Sequence, residues 1–343
     1  MKKKVTMKDI GDALELSVNA VSLALNGKSG VSERTRREVL HMADKLGYID
    51  FAARYDKAFC STCICIIIKK KYYNSSFYTK VMYGLETEAK QCGYNIVVQF
   101  YEENTEVPDC ILKQKVCGVI IAGRFEEDYI RMIYETRLPV ILVDHSAYRL
   151  PIECILTDNK TGVLESVSYL IRAGYRKIGF FGEYAYSNSN KERFDGYLEA
   201  MQKLEPDFKK LFAMICRYSV LEGTEELVLK RDRQGVARLL EQMEELPEVF
   251  QCSNDRNAVL LNNALQFLGY RVPEDIGIVG FDDGDLAAVM CPPLTTVHVS
   301  TVRMGQKAFE RLMWCLDHRE ATQEKIMMQV SLKIRESTRT IKE

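Results

Sequence analysis

A small all-α unit followed by a larger α/β body with parallel sheets is the fold class this sequence predicts, and three observations carry it. Residues 5 to 48 break into three short amphipathic stretches, each bounded by capping or helix-stopping residues. From Cys60 onward, continuous apolar runs alternate with stretches at helical spacing, the pattern of doubly covered strands joined by crossover helices. A join of helix, Gly-Tyr and strand then recurs three times. The chain has 343 residues, too many for one ordinary core and suited to two or three.

In the N-terminal unit, Thr6 and Asp9 fit a capping box, and Met7, Ile10 and Leu14 follow on one stripe. Ser17 caps a second helix in which Val21 and Leu25 share a face, and Asn26-Gly27 ends it because both residues tolerate the left-handed conformation. Ser32 opens a third helix with Val39, Met42 and Leu46 on its apolar face and Gly47 as its stop. Three helices in so few residues barely bury a core of their own. Residues 50 to 59, "DFAARYDKAF", read as a tether.

Beyond the tether, "TCICIII" reads as a strand covered on both faces, and "VCGVIIAG" (116–123) and "LPVILVD" (138–144) are further strands. The recurring join appears as "CGYNIVV" (92–98), "AGYRKIGFF" (173–181) and "LGYRVPEDIGIVGF" (268–281), with each Gly suited to the position after a helix end. The α/β portion is long enough for two lobes.

Composition excludes more than it names. Lys and Arg total 47 against 48 Asp and Glu, so net charge identifies no partner. Between Met1 and Cys60, eleven basic residues oppose eight acidic ones, a mild excess compatible with phosphate contact. There is no run of about 18 apolar residues and no apolar segment of the kind that follows a charged leader, so neither a membrane span nor export is expected. Eleven cysteines then point to a reducing compartment, the cytoplasm. Cys60 and Cys63 form a CxxC with Cys65 close behind, but no second pair or histidine stands near. Buried small apolar residues at a strand start are the better reading, and neither a metal nor a cofactor is expected. The four histidines are scattered, and Trp314 reads as a packing residue.

A helix, a four-residue turn and a second helix beginning at Ser17 make a helix-turn-helix pattern, whose second helix enters the major groove of double-stranded DNA. Asn19 can make paired hydrogen bonds to adenine and Val18 can pack on a thymine methyl. Thr6, Ser17, Ser22, Ser32 and Thr35 carry short hydroxyls suited to phosphate oxygens, although the same groups also cap helices.

The stretch "VTMKDIGDALELSVNAVSLALNGKSGVSERTRREVLHMADKLGY" resembles the DNA-binding headpiece of the LacI family of bacterial transcription regulators. The rest of the chain is similar to that family's regulatory domain through "NSSFY" (74–78), "VILVD" (140–144), "TDN" (157–159), "AGYRKIGFFG" (173–182), "SNKERFDGYLEAM" (189–201), "CSND" (252–255), "VPEDIGIVGFDD" (272–283), "PPLTTV" (292–297) and "REST" (335–338). The resemblance implies a headpiece over 1–49, a hinge over 50–59 and a periplasmic-binding-protein-like body over 60–343. That body would have Rossmann-like lobes: an N-lobe at about 60–157 and 298–329, and a C-lobe at about 158–297 and 330–343. It further implies a homodimer, or a tetramer of paired dimers, on a pseudo-palindromic operator, with a small-molecule effector, a carbohydrate by expectation, controlling operator affinity from the cleft. Asn26 joins the DNA-binding set on this basis. Four positions depart from the family. Glu15 and Leu16 replace a common Gly and Val in the turn, Leu23 replaces an arginine that several members use on guanine, and Lys57 stands where an apolar wedge commonly enters the minor groove.

Ligands of parallel sheets lie beyond the carboxyl ends of strands. Asp144 ends "VILVD", Asn254 and Asp255 follow "VFQCSND", Asp282 and Asp283 end "GIVGFDD", and Arg193 begins a helix after "SNSNK". Such donors and acceptors suit vicinal hydroxyls. By resemblance, Asp144, Arg193, Asn254 and Asp282 match family effector contacts, with Phe77 and Tyr78 on the opposing wall. Strand-end Asp and Asn also cap helices, and for Asp255 and Asp283 a capping or structural role is the better reading. Tyr184, Tyr186 and Tyr218 could stack on a sugar ring, but solvent-exposed loop tyrosines are common, and that is the better reading for each. A solute receptor for transport is the alternative, but it has no use for residues 1 to 49. An α/β enzyme lacks support, since GxGxxG, GxSxG, HExxH and the P-loop lysine motif are all absent.

Overall fold

The computed structural model describes residues 5–25, 28–46, 48, 62–72, 74–103 and 105–340. Three helices come first: α1 (Met7–Leu14), α2 (Val18–Leu25) and α3 (Glu33–Lys45). Ile10, Val21, Ala24, Val39 and Ala43 form their core, with Met7, Leu14, Leu25, Met42 and Leu46 around it. The predicted helix stops Asn26, Gly27 and Gly47 lie outside the described residues.

The body holds two sheets. The first is built from β1 (Cys63–Lys69), β2 (Asn95–Tyr101), β3 (Gly118–Ala122), β4 (Val140–Val143), β5 (Glu153–Thr157) and β10 (Lys325–Met328), all parallel, in the order β10-β5-β4-β3-β1-β2. Helices α4 (Ser76–Gln91), α5 (Asp109–Leu112), α6 (Glu127–Tyr134) and α14 (Thr301–Asp317) accompany it. The second sheet has the order β11-β9-β8-β7-β6, from β6 (Ile178–Phe181), β7 (Val249–Cys252), β8 (Gly277–Asp282), β9 (Thr295–His298) and β11 (Ser331–Lys333). Only β11 runs antiparallel. Its helices are α7 (Asn159–Arg172), α8 (Asn188–Leu204), α9 (Phe208–Tyr218), α10 (Thr224–Lys230), α11 (Arg233–Glu241), α12 (Asp255–Phe267) and α13 (Asp285–Val289).

Strand β1 shows why the apolar runs are unbroken. Cys63, Cys65 and Ile67 pack with Ile111, Val119 and Ile133 on one face, while Ile64 and Ile66 pack with Val81, Leu85 and Ile120 on the other. With no solvent face, alternation disappears. Cys63 and Cys65 are thus small apolar packing residues; Cys60 lies outside the described residues.

The three Gly-Tyr joins share one geometry. Gly93, Gly174 and Gly269 are left-handed at φ 78°, 93° and 87°. The following amides of Tyr94, Tyr175 and Tyr270 donate to the carbonyls of Ala89, Leu170 and Leu265, five residues back. This Schellman closure satisfies carbonyls that the helix end would leave open and turns the chain toward the next strand.

The chain passes between the sheets three times: from β5 to α7, from β9 to α14, and from β10 to β11. The amide of Asp158 donates to the carbonyl of Met328 at 3.0 Å, tying two of these crossings together. Helices α4 and α14 approach closely because a Cβ at Gly84 would overlap the Val302 carbonyl and one at Gly305 would overlap the Val81 carbonyl. Among the described residues, no helix is long and apolar enough to cross a membrane.

Two kinds of glycine should respond differently. Gly174→Ala meets open space, so only the left-handed backbone is strained, and unfolding free energy should drop by about 1 kcal/mol. Gly305→Ala must push two helices apart and should cost about 3 kcal/mol. Urea denaturation of the two variants checks the ordering, and equal losses would contradict it.

Candidate functional site

The headpiece puts its polar side chains to two uses. Thr6 Oγ1 accepts the Asp9 amide at 3.4 Å while Asp9 Oδ2 accepts the Thr6 amide at 2.7 Å, and the Thr6 hydroxyl donates to the same carboxylate at 2.6 Å. Ser17 Oγ accepts the Ala20 amide at 3.1 Å, and Ser32 Oγ accepts the Thr35 amide at 3.0 Å while pairing with the Thr35 hydroxyl at 2.7 Å. Thr6, Ser17 and Ser32 therefore cap their helices. On α2, Val21 and Ala24 turn into the core, Val18 is 48% exposed, Asn19 is exposed and Ser22 is half-buried. An exposed valine beside an exposed asparagine, on a helix whose other face is packed, is available to base edges. Asn26 and Lys57 lie outside the described residues.

The turn between α1 and α2 runs through Glu15 at φ 55° and ψ 37°, whose amide donates to the Gly11 carbonyl. A left-handed conformation explains why glycine suits this position and why a glutamate there is strained.

The second constellation lies between the two sheets. Phe77, Tyr78, Asp144, Arg193, Asn254 and Asp282 all line one cavity of about 120 Å³. Asp144 follows β4 at φ 58° and Asp282 ends β8 at φ 111°, so both strand ends bend sharply as they reach the cavity. Tyr78 donates its hydroxyl to Asp144 Oδ2 at 2.8 Å, and Ser189 donates to Asp144 Oδ1 at 3.4 Å, joining α8 to the first sheet. Phe77 meets Tyr78 edge-on, and Tyr72 stacks on Tyr78 with centroids 4.7 Å apart.

Arg193 is 5% exposed, and each of its three guanidinium nitrogens donates one hydrogen bond. Nε donates to Asn159 Oδ1 at 2.8 Å, Nη1 to the Ser253 carbonyl at 2.7 Å and Nη2 to Asp282 Oδ1 at 3.2 Å. Its Cζ stands 3.8 Å from the Phe281 ring centroid. Asn254 holds two roles, lining the cavity while its side chain accepts the Asn257 amide at 3.0 Å as the N-cap of α12.

Burial dominates the protonation of the site. It pushes Asp282 up to about 6 against the pull of Arg193, and it raises Asp144 in the same way. Tyr78 is raised well above the usual phenol range by burial and by the Asp144 charge. Asp255, outside the cavity, accepts the Gly284 amide at 2.7 Å and the Thr296 hydroxyl at 2.6 Å, and burial with the Asp282 charge pushes it up to about 8. Asp283 pairs with Arg335 at 2.7 Å and His298 at 2.9 Å. Both acids brace the loop after β8.

The cavity also recruits residues that strand-end reasoning did not single out: Tyr72, Arg124, His145, Ser187 to Asn190, Glu225 and Arg256. Arg124 and His145 follow the carboxyl ends of β3 and β4, so the strand-end rule could have included them. Glu225 has no local signal; only packing brings its Oε1 to the amides of Asn190 and Asn257. Of the three tyrosine candidates, Tyr186 lines the cavity, Tyr218 is buried against Glu245 and Tyr184 leans on Phe194. Trp314 stacks with His318 and under Arg311. No group of three His, Cys, Asp or Glu among the described residues is placed to hold a metal.

Two outcomes follow from this geometry. Glu15→Gly should relieve about 1 kcal/mol of strain, slowing amide exchange in α1 and α2 about fivefold in the full chain; unchanged or faster exchange refutes the strain. Asp282 and Asp255 take up protons on folding, so the stability they confer is complete below about pH 4. It is lost as pH rises through about 6 and about 8 respectively. Asp255→Asn, which cannot ionise, should show a shallower decline in urea midpoint from pH 5 to 8 than the parent chain. Parallel declines would overturn the assignment.

Comparison with known proteins finds matches over both parts of the chain. Residues 6–50 match the family profile described as bacterial regulatory proteins, lacI family, and residues 167–338 match a periplasmic binding protein-like domain. The chain is 26% identical to the HTH-type transcriptional repressor PurR of Vibrio vulnificus (strain CMCP6), covering 98% of this chain and 99% of the relative. It is also 26% identical to the ribose operon repressor of Haemophilus influenzae, with the same coverage. In fold it is similar to the transcriptional regulator CelR in complex with cellobiose, with a TM-score of 0.70 at 20% identity over 97% of this chain and 99% of that one. It is likewise similar to the lac repressor dimer bound to operator and the anti-inducer ONPF, with a TM-score of 0.69 at 24% identity over 98% and 99%. With a lacI-type helix-turn-helix ahead of a periplasmic-binding-protein-like body, the chain belongs to the LacI family of bacterial DNA-binding transcriptional regulators.

Proposed function

We propose that this regulator is a cytoplasmic repressor that acts as a homodimer on a pseudo-palindromic operator and is controlled by a small polyhydroxylated effector between its two lobes. Residues 1–49 serve as headpiece, 50–59 as hinge and 60–343 as the effector-binding and dimerisation body. One observation carries the reading: Asp144 and Tyr78 from the first sheet meet Arg193 and Asp282 from the second at a single cavity. A ligand held by both lobes binds their closed arrangement better than an open one, which is the differential affinity a switch requires. The carbohydrate class is supported by the donor and acceptor set and by the cellobiose complex of CelR.

On the DNA side, Asn19 is the adenine reader and Val18 the thymine-methyl contact, with Ser22 beside them. Ser17, Ser32, Thr35 and Thr6 bring capped helix starts to phosphates. Asn26 and Lys57 complete the set. A headpiece of this kind counts against the transport-receptor alternative.

Asn19→Ala should weaken binding to an operator selected from a randomised duplex library by about 1–3 kcal/mol, while non-specific binding stays nearly unchanged. Equal loss on random duplex, read by fluorescence anisotropy, removes Asn19 from base readout. Arg193→Ala should keep operator binding and abolish the effector response. Because Arg193 also braces the fold, Tyr78→Phe serves as the milder companion, expected to blunt the response with melting temperature preserved. A normal response in both variants overturns the cleft assignment.

A further inference from the structure

The charges around the cavity are unevenly partnered. Asp144 is hydrogen-bonded by Tyr78 and Ser189, and Asp282 is paired with Arg193. Arg124, in the loop after β3, and Arg256, in the first turn of α12, line the same cavity. These two guanidiniums come from opposite sheets, and both act on the same phenol, that of Tyr186. His145 shares the Arg124 wall and is pushed down by burial and by that guanidinium.

Neither arginine has a carboxylate within ion-pair distance among the described residues. The hydrogen bond Arg124 makes goes to the neutral carbonyl of Tyr186. Glu225, which also lines the cavity, and Asp282 both feel the Arg256 charge, but the Glu225 Oε1 is already held by the amides of Asn190 and Asn257 and Asp282 by Arg193. Two like charges that converge from facing lobes oppose closure unless an anion sits between them. Guanidinium forks match the oxygens of a carboxylate or phosphate in a way that a hydroxyl does not need.

We propose that the effector is a small polyol carrying an oxyanion, a carboxylate or a phosphate, seated between Arg124 and Arg256 with its hydroxyls on Asp144, Arg193 and Asp282. This rests on the cavity being the effector site. The orientation follows from charge: an anion beside Asp144 and Asp282 would meet like charges, whereas between Arg124 and Arg256 it meets opposite ones and draws the lobes together. A cavity of about 120 Å³ also favours a single small polyol over a drug-sized ligand.

The test uses the full chain and a panel of hexoses and pentoses, each offered as the neutral sugar, the sugar acid and the phosphate ester, with thermal shift followed by calorimetry. At least one anionic form should raise the melting temperature and bind about tenfold or more tightly than its neutral parent. Which anionic form does so separates carboxylate from phosphate. Arg124→Gln and Arg256→Gln should each cut that preference about tenfold without lowering the ligand-free melting temperature, and Asp144→Asn should abolish binding of every member. Neutral sugars binding as tightly as their acids and esters, or anionic binding indifferent to both glutamine variants, overturns the proposal. Continued loss on Asp144→Asn would then leave the effector cleft standing. Binding that survives Asp144→Asn places the ligand elsewhere and overturns the cleft as well, and no response to any acid or ester also rejects the proposal.

Discussion

The regulatory body is organised around a guanidinium that has almost no access to water. Arg193 on α8 reaches α7 through Asn159, the end of β7 through the Ser253 carbonyl and the end of β8 through Asp282, and it lies flat on Phe281. Leaving such a charge unpartnered in the interior costs several kcal/mol, so each contact is a condition on where those elements can stand. The sharp turn at Asp282 is one consequence. The network carries its own electrostatic burden, because burial raises the acids that serve it.

Across the cleft, the lobes touch through exchangeable polar contacts. Ser76 and Lys80 reach Asp285 at 2.6 Å each, Ser189 reaches Asp144, and Arg124 reaches the Tyr186 carbonyl. Contacts of this type are worth little individually in water and can be broken and remade. Three chain crossings join the lobes, while α4 and α14 are pressed backbone against backbone at Gly84 and Gly305 within one of them. Under the proposed function, two lobes closed on each other by weak polar contacts are ones that a ligand of modest differential affinity can shift between arrangements.

The headpiece is built by different rules. Its core is five small or medium side chains, so capping hydrogen bonds at Thr6, Ser17 and Ser32 matter more to it than to the body. The residues that hold its helices also bring their N-termini to the surface, where free amides suit phosphate oxygens. Under the proposed function, the same side chains would serve both stability and DNA contact.

Sequence alone determined everything governed by neighbours a few residues apart. The capping box at Thr6, the Schellman closures at Gly93, Gly174 and Gly269, the doubly buried β1 and the acids at strand ends all follow from local hydrogen-bond demand and side-chain periodicity. Packing decided which distant segments share the cavity. Tyr186, Glu225 and Arg256 sit on turns and helix starts whose direction no local pattern fixes, and Asn254 looks the same in sequence whether it caps a helix, lines a cleft or does both. Local chemistry specifies what each segment becomes; only the meeting of lobes, across separations such as the 45 residues between Asp144 and Ser189, specifies what the segments can hold together.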